Sequence, residues 1–232
     1  KLHFRSGEDD NGFTDENIVM HIIEAKGALS SLLRATQDGV PRRKSHKAIY
    51  EESVPGEADY QIYDRDITAN AIDWLRANAD RSEPWVLLVS FPSPHPPFKV
   101  PRRFWDMYPL ADVPMPVQWR AQDRPKHPAI DYLAWMNHLE DGLDEDLVRR
   151  VVAGYCGLVT HTDERIGEVI QAADGLGLLG GTRIVYTSDH GEAAGNHGIL
   201  GKANHYEHAL AVPLLMAGPG IPEAKVIDES VS

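Results

Sequence analysis

Apolar positions along this chain follow two rhythms. Between residues 64 and 80, Ile67, Ala71, Ile72 and Leu75 recur at spacings of three and four. That period puts them on one face of a helix that begins at an Asp64 or Asp66 cap. Further on, Leu147, Val151, Tyr155, Leu158, Val159, Thr162, Ile166, Val169, Ile170 and Ala173 keep the same spacing up to Gly175 and Gly177. They predict a long amphipathic helix ended by glycine. Three short runs have the other character. Trp85 to Phe91 follows Pro84 and is cut off by Pro92, Pro94, Pro96 and Pro97; such a continuous apolar run reads as a buried central strand. Thr182 to Ser188 is β-rich and gives a second strand, and Val212 to Ala217, ahead of Gly218-Pro219-Gly220, gives a third. Helices alternating with strands predict an α/β fold with a largely parallel central sheet sandwiched by helices.

The segments between these elements are less regular. Residues 1 to 57 are mostly polar, with Glu8-Asp9-Asp10-Asn11-Gly12 reading as a turn. Residues 98 to 143 form a long excursion in which six prolines alternate with Phe104, Trp105, Tyr108, Trp119, Tyr132 and Trp135. A stretch of this kind either lines a site or covers the core. Composition adds exclusions. The 232 residues carry 23 Lys+Arg against 35 Asp+Glu, a net charge of −12, opposite to the basic face that phosphate neutralisation demands of a nucleic-acid binder. No apolar run reaches the roughly 20 residues of a membrane-spanning helix. One cysteine, Cys156, leaves no intramolecular disulfide, and its place on the predicted helix marks a buried, inert thiol.

In open α/β sheets, ligands lie beyond the carboxyl ends of the strands. Two groups of residues stand there. Asp189-His190 follows the 182 to 188 run, and His95 follows the 85 to 91 run. A carboxylate and an imidazole together offer oxygen and nitrogen ligands to a divalent cation; equally, Asp189 can cap a turn while His190 is merely exposed. Lys202 stands 12 residues past His190 at the end of a glycine-rich loop and can bring an ammonium to an anion. That loop is no P-loop, because Gly195 and Gly201 enclose five residues and Ala203 follows the lysine. Nor is Ser188-Asp189-His190 a hydrolase triad, since adjacent residues do not converge as triad members must. His197, His205 and His208 are loop or surface residues in this reading.

In order and spacing, the segments resemble the sulfatase family of the alkaline phosphatase superfamily. Lys1-Leu2-His3-Phe4 is similar to that family's Gly-Lys-x-His element, and Pro94-His95-Pro96-Pro97-Phe98 to its central histidine segment. Ser188-Asp189-His190-Gly191-Glu192, Gly198, Lys202, Tyr206-Glu207, Val212-Pro213-Leu214 and Gly218-Pro219-Gly220-Ile221 resemble its most diagnostic region. The resemblance implies that Asp189 and His190 ligate a divalent metal, Ca²⁺ first, with Mn²⁺ or Mg²⁺ in some relatives. It implies that Lys1, His3, His95 and Lys202 surround a small sulfate ester: Lys1 and Lys202 on sulfate oxygens, His95 on the sulfate or the leaving oxygen, His3 in breakdown of the covalent intermediate. Cations and donors placed there would stabilise the charge that develops as the ester breaks.

The sequence also departs from the family. Its nucleophile, a formylglycine made from a Cys/Ser-x-Pro-x-Arg motif, has no counterpart here: Cys156 is followed by Gly-Leu-Val-Thr, and Ser53-Val-Pro by Gly56-Glu57. The expectation is therefore that residues 1 to 232 are the central part of one sulfatase-like catalytic domain, incomplete at both ends. The nucleophile would lie upstream, and the segment alone would be inactive. The expected function is metal-dependent hydrolysis of sulfate monoesters. A phosphonate monoester or phosphodiester hydrolase of the same superfamily is the alternative enzyme, and a non-catalytic remnant or binding module the alternative of another class. No nucleic-acid or membrane partner is expected, a homo-oligomer remains open, and the compartment, cytoplasmic or periplasmic/secreted, is undetermined because no signal region is present.

Overall fold

A computed structural model of the chain describes residues 9–18 and 46–228. Lys1 and His3 lie outside the described residues. The helices are α1 (His46–Glu51), α2 (Asp59–Ala77), α3 (Arg102–Trp105), α4 (Pro128–Met136), α5 (Glu145–Gly175) and α6 (Glu207–Leu210); the strands are β1 (Ile184–Thr187) and β2 (Leu214–Ala217).

The helix foreseen from Leu147 to Ala173 is α5. It starts where Asp144 Oδ1 accepts from the Leu147 amide at 2.8 Å, a side-chain cap that satisfies one of the orphan donors of the first turn. It ends as its glycines require. Gly177 takes a positive φ of 72° and donates to the Asp174 carbonyl, while Leu178 donates to that of Ala173, the double closure of a Schellman motif. The helix foreseen over 64 to 80 is α2, which starts earlier, at Asp59. Ala58 precedes it with no side chain to cap, and the Gln61 carboxamide instead accepts from the Ala58 amide at 2.6 Å. A cap supplied from inside the helix leaves no Ser, Thr, Asp or Asn signal before it.

The core is built on α5. Leu147, Val148, Val151 and Leu158 are buried against Tyr50, Phe98, Val100, Phe104, Trp119 and Leu200. The aromatic excursion therefore supplies core residues: Phe98, Phe104 and Trp119 are buried, whereas Tyr132 and Trp135 stay exposed. Two glycines on α5 set how closely this strap lies. A Cβ added at Gly154 would stand 2.6 Å from the Phe98 carbonyl oxygen and 2.9 Å from the Phe98 Cβ, and one at Gly157 would meet Val100 at 3.0 Å. The notch is what lets residues 98 to 104 cross the helix at backbone distance.

The strands differ from their sequence expectation in two ways. β1 and β2 fall inside the second and third apolar runs, but they pair antiparallel, Ile184 opposite Ala217 through Thr187 opposite Leu214. Parallel pairing needs a long crossover, and between these strands stand only a three-residue 3-10 turn, Asn196–Gly198, and α6 with four residues. Trp85 to Phe91 forms no ladder among the described residues; Val86 is 92% exposed and Leu88 52%, while Trp85, Leu87 and Val89 are half-buried. The alternation of a strand is present in this burial pattern. Val185, Leu214, Leu215 and Met216 are likewise exposed. The architecture is α/β, with its described packing concentrated among α1, α2, α3 and α5.

The glycine notch predicts opposite effects at two positions of α5. Gly154→Ala should destabilise the protein by about 1–3 kcal/mol through overpacking against Phe98. Gly167→Ala, where nothing lies within 4 Å of the added Cβ, should stabilise it by about 0.5–1 kcal/mol through helix propensity. Urea unfolding of both variants measures the contrast.

Candidate active site

The turn that follows β1 carries the candidate ligands. Its backbone cannot accept a side chain at the third position: a Cβ on Gly191 would stand 2.1 Å from the His208 carbonyl oxygen, and the Gly191 amide donates to the Ala209 carbonyl at 2.9 Å. Asp189-His190-Gly191 is thereby pressed onto the start of α6. Asp189 is exposed and receives no backbone hydrogen bond among the described residues; its Oδ2 lies 3.4 Å from His190 Nε2. The His190 ring is oriented through its other nitrogen, with Nδ1 at 2.8 Å from the Gly191 carbonyl oxygen. A carbonyl only accepts, so this contact assigns the proton to Nδ1 and leaves the Nε2 lone pair on the side of Asp189.

Lys202 reaches the same nitrogen. Its ammonium donates to His190 Nε2, so a positive charge already stands against the imidazole that adjoins Asp189. The intervening loop makes that return possible. Ala193 donates to the Gly201 carbonyl and Gly195 to that of Ile199, both at 3.0 Å, which folds residues 193 to 201 back on themselves. Gly195 and Gly198 take positive φ values of 98° and 65° in this fold. Ala193 and Ile199 are buried with Ile130 of α4. His197 and its neighbour fix the outer end: Asn196 Oδ1 accepts from the Val117 amide at 3.0 Å, the His197 amide donates to the Val117 carbonyl, and His197 Nδ1 pairs with Gln118 Oε1 at 2.7 Å. The His197 ring stacks on Tyr206 at 4.0 Å between centroids. His197 and His208 thus serve the loop's packing, and His205 is exposed.

Two residues that carried no assigned role in the sequence, Glu192 and Tyr50, organise this loop from within. Glu192 Oε1 accepts from the Gly201 amide at 2.7 Å and the Ala194 amide at 3.0 Å, and Tyr50 donates its hydroxyl to Oε2 at 3.2 Å. Burial pushes the Glu192 carboxyl above the usual range, against the pull of those three donors. Burial, then the Glu192 charge, raises the Tyr50 phenol as well. Glu192 ties both ends of the loop that carries Lys202 to the residue two past His190. Its position after Asp-His-Gly was a signal available in the sequence; Tyr50, some 140 residues away, offered none.

His95 stands on a separate segment. Its Nδ1 lies 2.8 Å from the Pro96 carbonyl oxygen, which assigns the proton there in the neutral ring. Tyr60 of α2 meets the ring edge-on at 5.3 Å. Tyr50 links this segment to the Glu192 loop, with its ring edge-on to Phe98 at 5.3 Å and its hydroxyl on Glu192. Beneath the segment lies Asp64, fully buried, facing the hydroxyl and backbone N–H of Ser93. Burial pushes its carboxyl up to about 6, although Ser93 and the Arg165 charge pull it down. Cys156, half-buried with its thiol raised by burial, is remote from this chemistry in character and remains an unreactive thiol.

Asp189 and His190 offer a carboxylate and an imidazole to a divalent cation, although His190 Nε2 here accepts from Lys202, so a metal on that nitrogen would take the ammonium's place. They are two ligands, and no group of three or more His, Cys, Asp or Glu suited to a metal occurs among the described residues.

The family model described as Sulfatase matches residues 13–232. Choline-sulfatase of Rhizobium meliloti is 34% identical over 177 residues, covering 74% of this chain and 32% of that protein. The multifunctional alkaline phosphatase superfamily protein PehA of Trinickia caryophylli is 30% identical over 191 residues, covering 73% of this chain and 36% of its own length. Among solved structures, the phosphonate monoester hydrolase of Agrobacterium radiobacter superposes with a TM-score of 0.56 at 29% identity, over 66% of this chain and 33% of that one. The chain thus spans about a third of the length of these relatives. With the order of elements, the Asp189-His190 turn and the family match in agreement, the chain belongs to the sulfatase family of hydrolases.

Proposed function

We propose that the protein hydrolyses sulfate monoesters with the help of a divalent metal, Ca²⁺ foremost. The observation that carries this reading is the ammonium of Lys202 held against His190, whose ring adjoins Asp189, in the turn after β1. Asp189 and His190 would hold the metal, which when bound supplies charge neutralisation and polarisation at the ester oxygens. Lys202 would bind a sulfate oxygen and offset the charge that gathers on the transferred group. His95, with Nδ1 turned to the Pro96 carbonyl, would give a proton from its ring to the leaving oxygen. Lys1 and His3 would join these residues at the sulfate, as the family resemblance suggests. The nucleophile, a formylglycine by the same reasoning, would come from sequence beyond these 232 residues.

A second reading, hydrolysis of phosphonate monoesters or phosphodiesters, draws on the superposition with the Agrobacterium radiobacter enzyme. The same cationic cluster serves either tetrahedral anion, so substrates must separate them. In the full-length protein, kcat/KM for an aryl sulfate should exceed that for the aryl phosphodiester with the same leaving group. The reverse order in paired rate measurements would overturn the first choice. Asp189→Asn and His190→Ala in the full-length protein should each lower bound metal, counted by elemental analysis after gel filtration. Unchanged stoichiometry would remove both residues from the metal site.

A further inference from the structure

We propose that Tyr60 and Asp64, one turn apart on α2, are positioning residues that set the ring of His95 by gripping the segment Ser93-Pro94-His95 at two points. The inference rests on His95 acting at the substrate, as argued above. Its support is a matching of periods. Residues i and i+4 of a helix share a face, and residues 93 and 95 are two apart on a non-helical stretch of chain. Tyr60 meets the His95 ring edge-on at 5.3 Å and an interplanar angle of 80°. Asp64 faces the hydroxyl and the backbone N–H of Ser93. One stripe of α2 thus meets the segment at both the residue that would do chemistry and the residue two before it.

The nature of the contact at Asp64 marks it as more than filling. Its side chain is fully buried and Ser93 is 5% exposed. Neither carboxylate oxygen, nor the Ser93 hydroxyl, completes a hydrogen bond of ordinary geometry. A buried carboxylate in that condition is costly, and an apolar residue would pack there at less cost. Arg65 and the guanidinium of Arg165 on α5 are charges near it, and Arg165 is itself paired with Glu164 and with Glu168 at 2.9 Å. Asp64 therefore retains its acceptor capacity for the segment in front of it. When the segment settles around a substrate, the Ser93 hydroxyl and N–H can close fully onto the carboxylate and draw His95 with them.

The test uses the full-length protein with histidine labelled for NMR, so that one readout does not depend on turnover. Asp64→Ala should shift the His95 ring resonances while leaving most of the other histidines in place. It should also lower kcat by roughly 10–100-fold with KM changed less than about threefold, as expected for a displaced reacting group. Asp64→Asn, which keeps the acceptor oxygen, should restore both readouts to within about threefold of wild type. Should Asp64→Ala fail to fold, Ser93→Ala removes the facing hydroxyl and should move the His95 resonances in the same way. Unmoved His95 resonances in whichever of these variants folds would overturn the proposal, as would Asp64→Asn behaving like Asp64→Ala. If the wild type turns over no sulfate ester yet the His95 resonances respond as described, the positioning stands and the functional reading falls.

Discussion

The packing of the core turns on the close approach of the Phe98 carbonyl to the space where residue 154 has no side chain. A helix normally keeps neighbouring backbone some 8–10 Å from its axis by the thickness of its side chains. Glycine at 154 and 157 lets residues 98 to 104 lie inside that limit, and Phe98, Val100 and Phe104 then bury against Leu147, Val151 and Leu158. Because His95 stands three residues before Phe98, the notch also sets how deep its segment sits. Tyr50 packs on Phe98 and reaches Glu192 from the same place. The two halves of the candidate site are therefore referred to one surface of α5, though they are nearly a hundred residues apart.

The Asp189-His190 turn and Lys202 meet because the loop between them is closed from inside. Backbone pairs at Ala193/Gly201 and Gly195/Ile199 form the return, and Glu192 occupies the two amides that such a tight return leaves over. The result is a cluster of Asp189, His190 and Lys202 on a chain whose net charge is −12. Overall sign governs long-range behaviour; an ammonium held at hydrogen-bonding distance decides the local one. An acidic protein can therefore present a site suited to an anion.

The exposed strands have a different origin. Val86, Leu88, Val185 and Leu214 to Met216 show apolar side chains to solvent at 50% or more, an arrangement that soluble proteins ordinarily cover. The stretches that match this chain make up about a third of those relatives, and the strand faces are uncovered within the described residues. The physical requirement is for apolar surface to pack against these faces, since a two-stranded ladder alone is marginal in water.

Local pattern carried most of the helical framework. The apolar period of α5, the Asp144 cap and the Gly177 stop are properties of neighbouring residues, so they were readable in order along the chain. The same holds for the runs that became β1 and β2, for Asp189, His190 and His95 as polar groups that follow apolar runs, and for Lys202 at the end of a glycine-rich loop. Pairing was a different matter. Antiparallel β1–β2 and the early start of α2 depend on which partner is within reach, and periodicity holds no record of that. Glu192, Tyr50 and Asp64 became meaningful only when folding placed a carboxylate against amides, a phenol or Ser93, because a buried polar group acquires its role from what it faces. The residue types of the site were written in the chain, while the contacts that hold them together came from tertiary packing across separations that no local pattern spans.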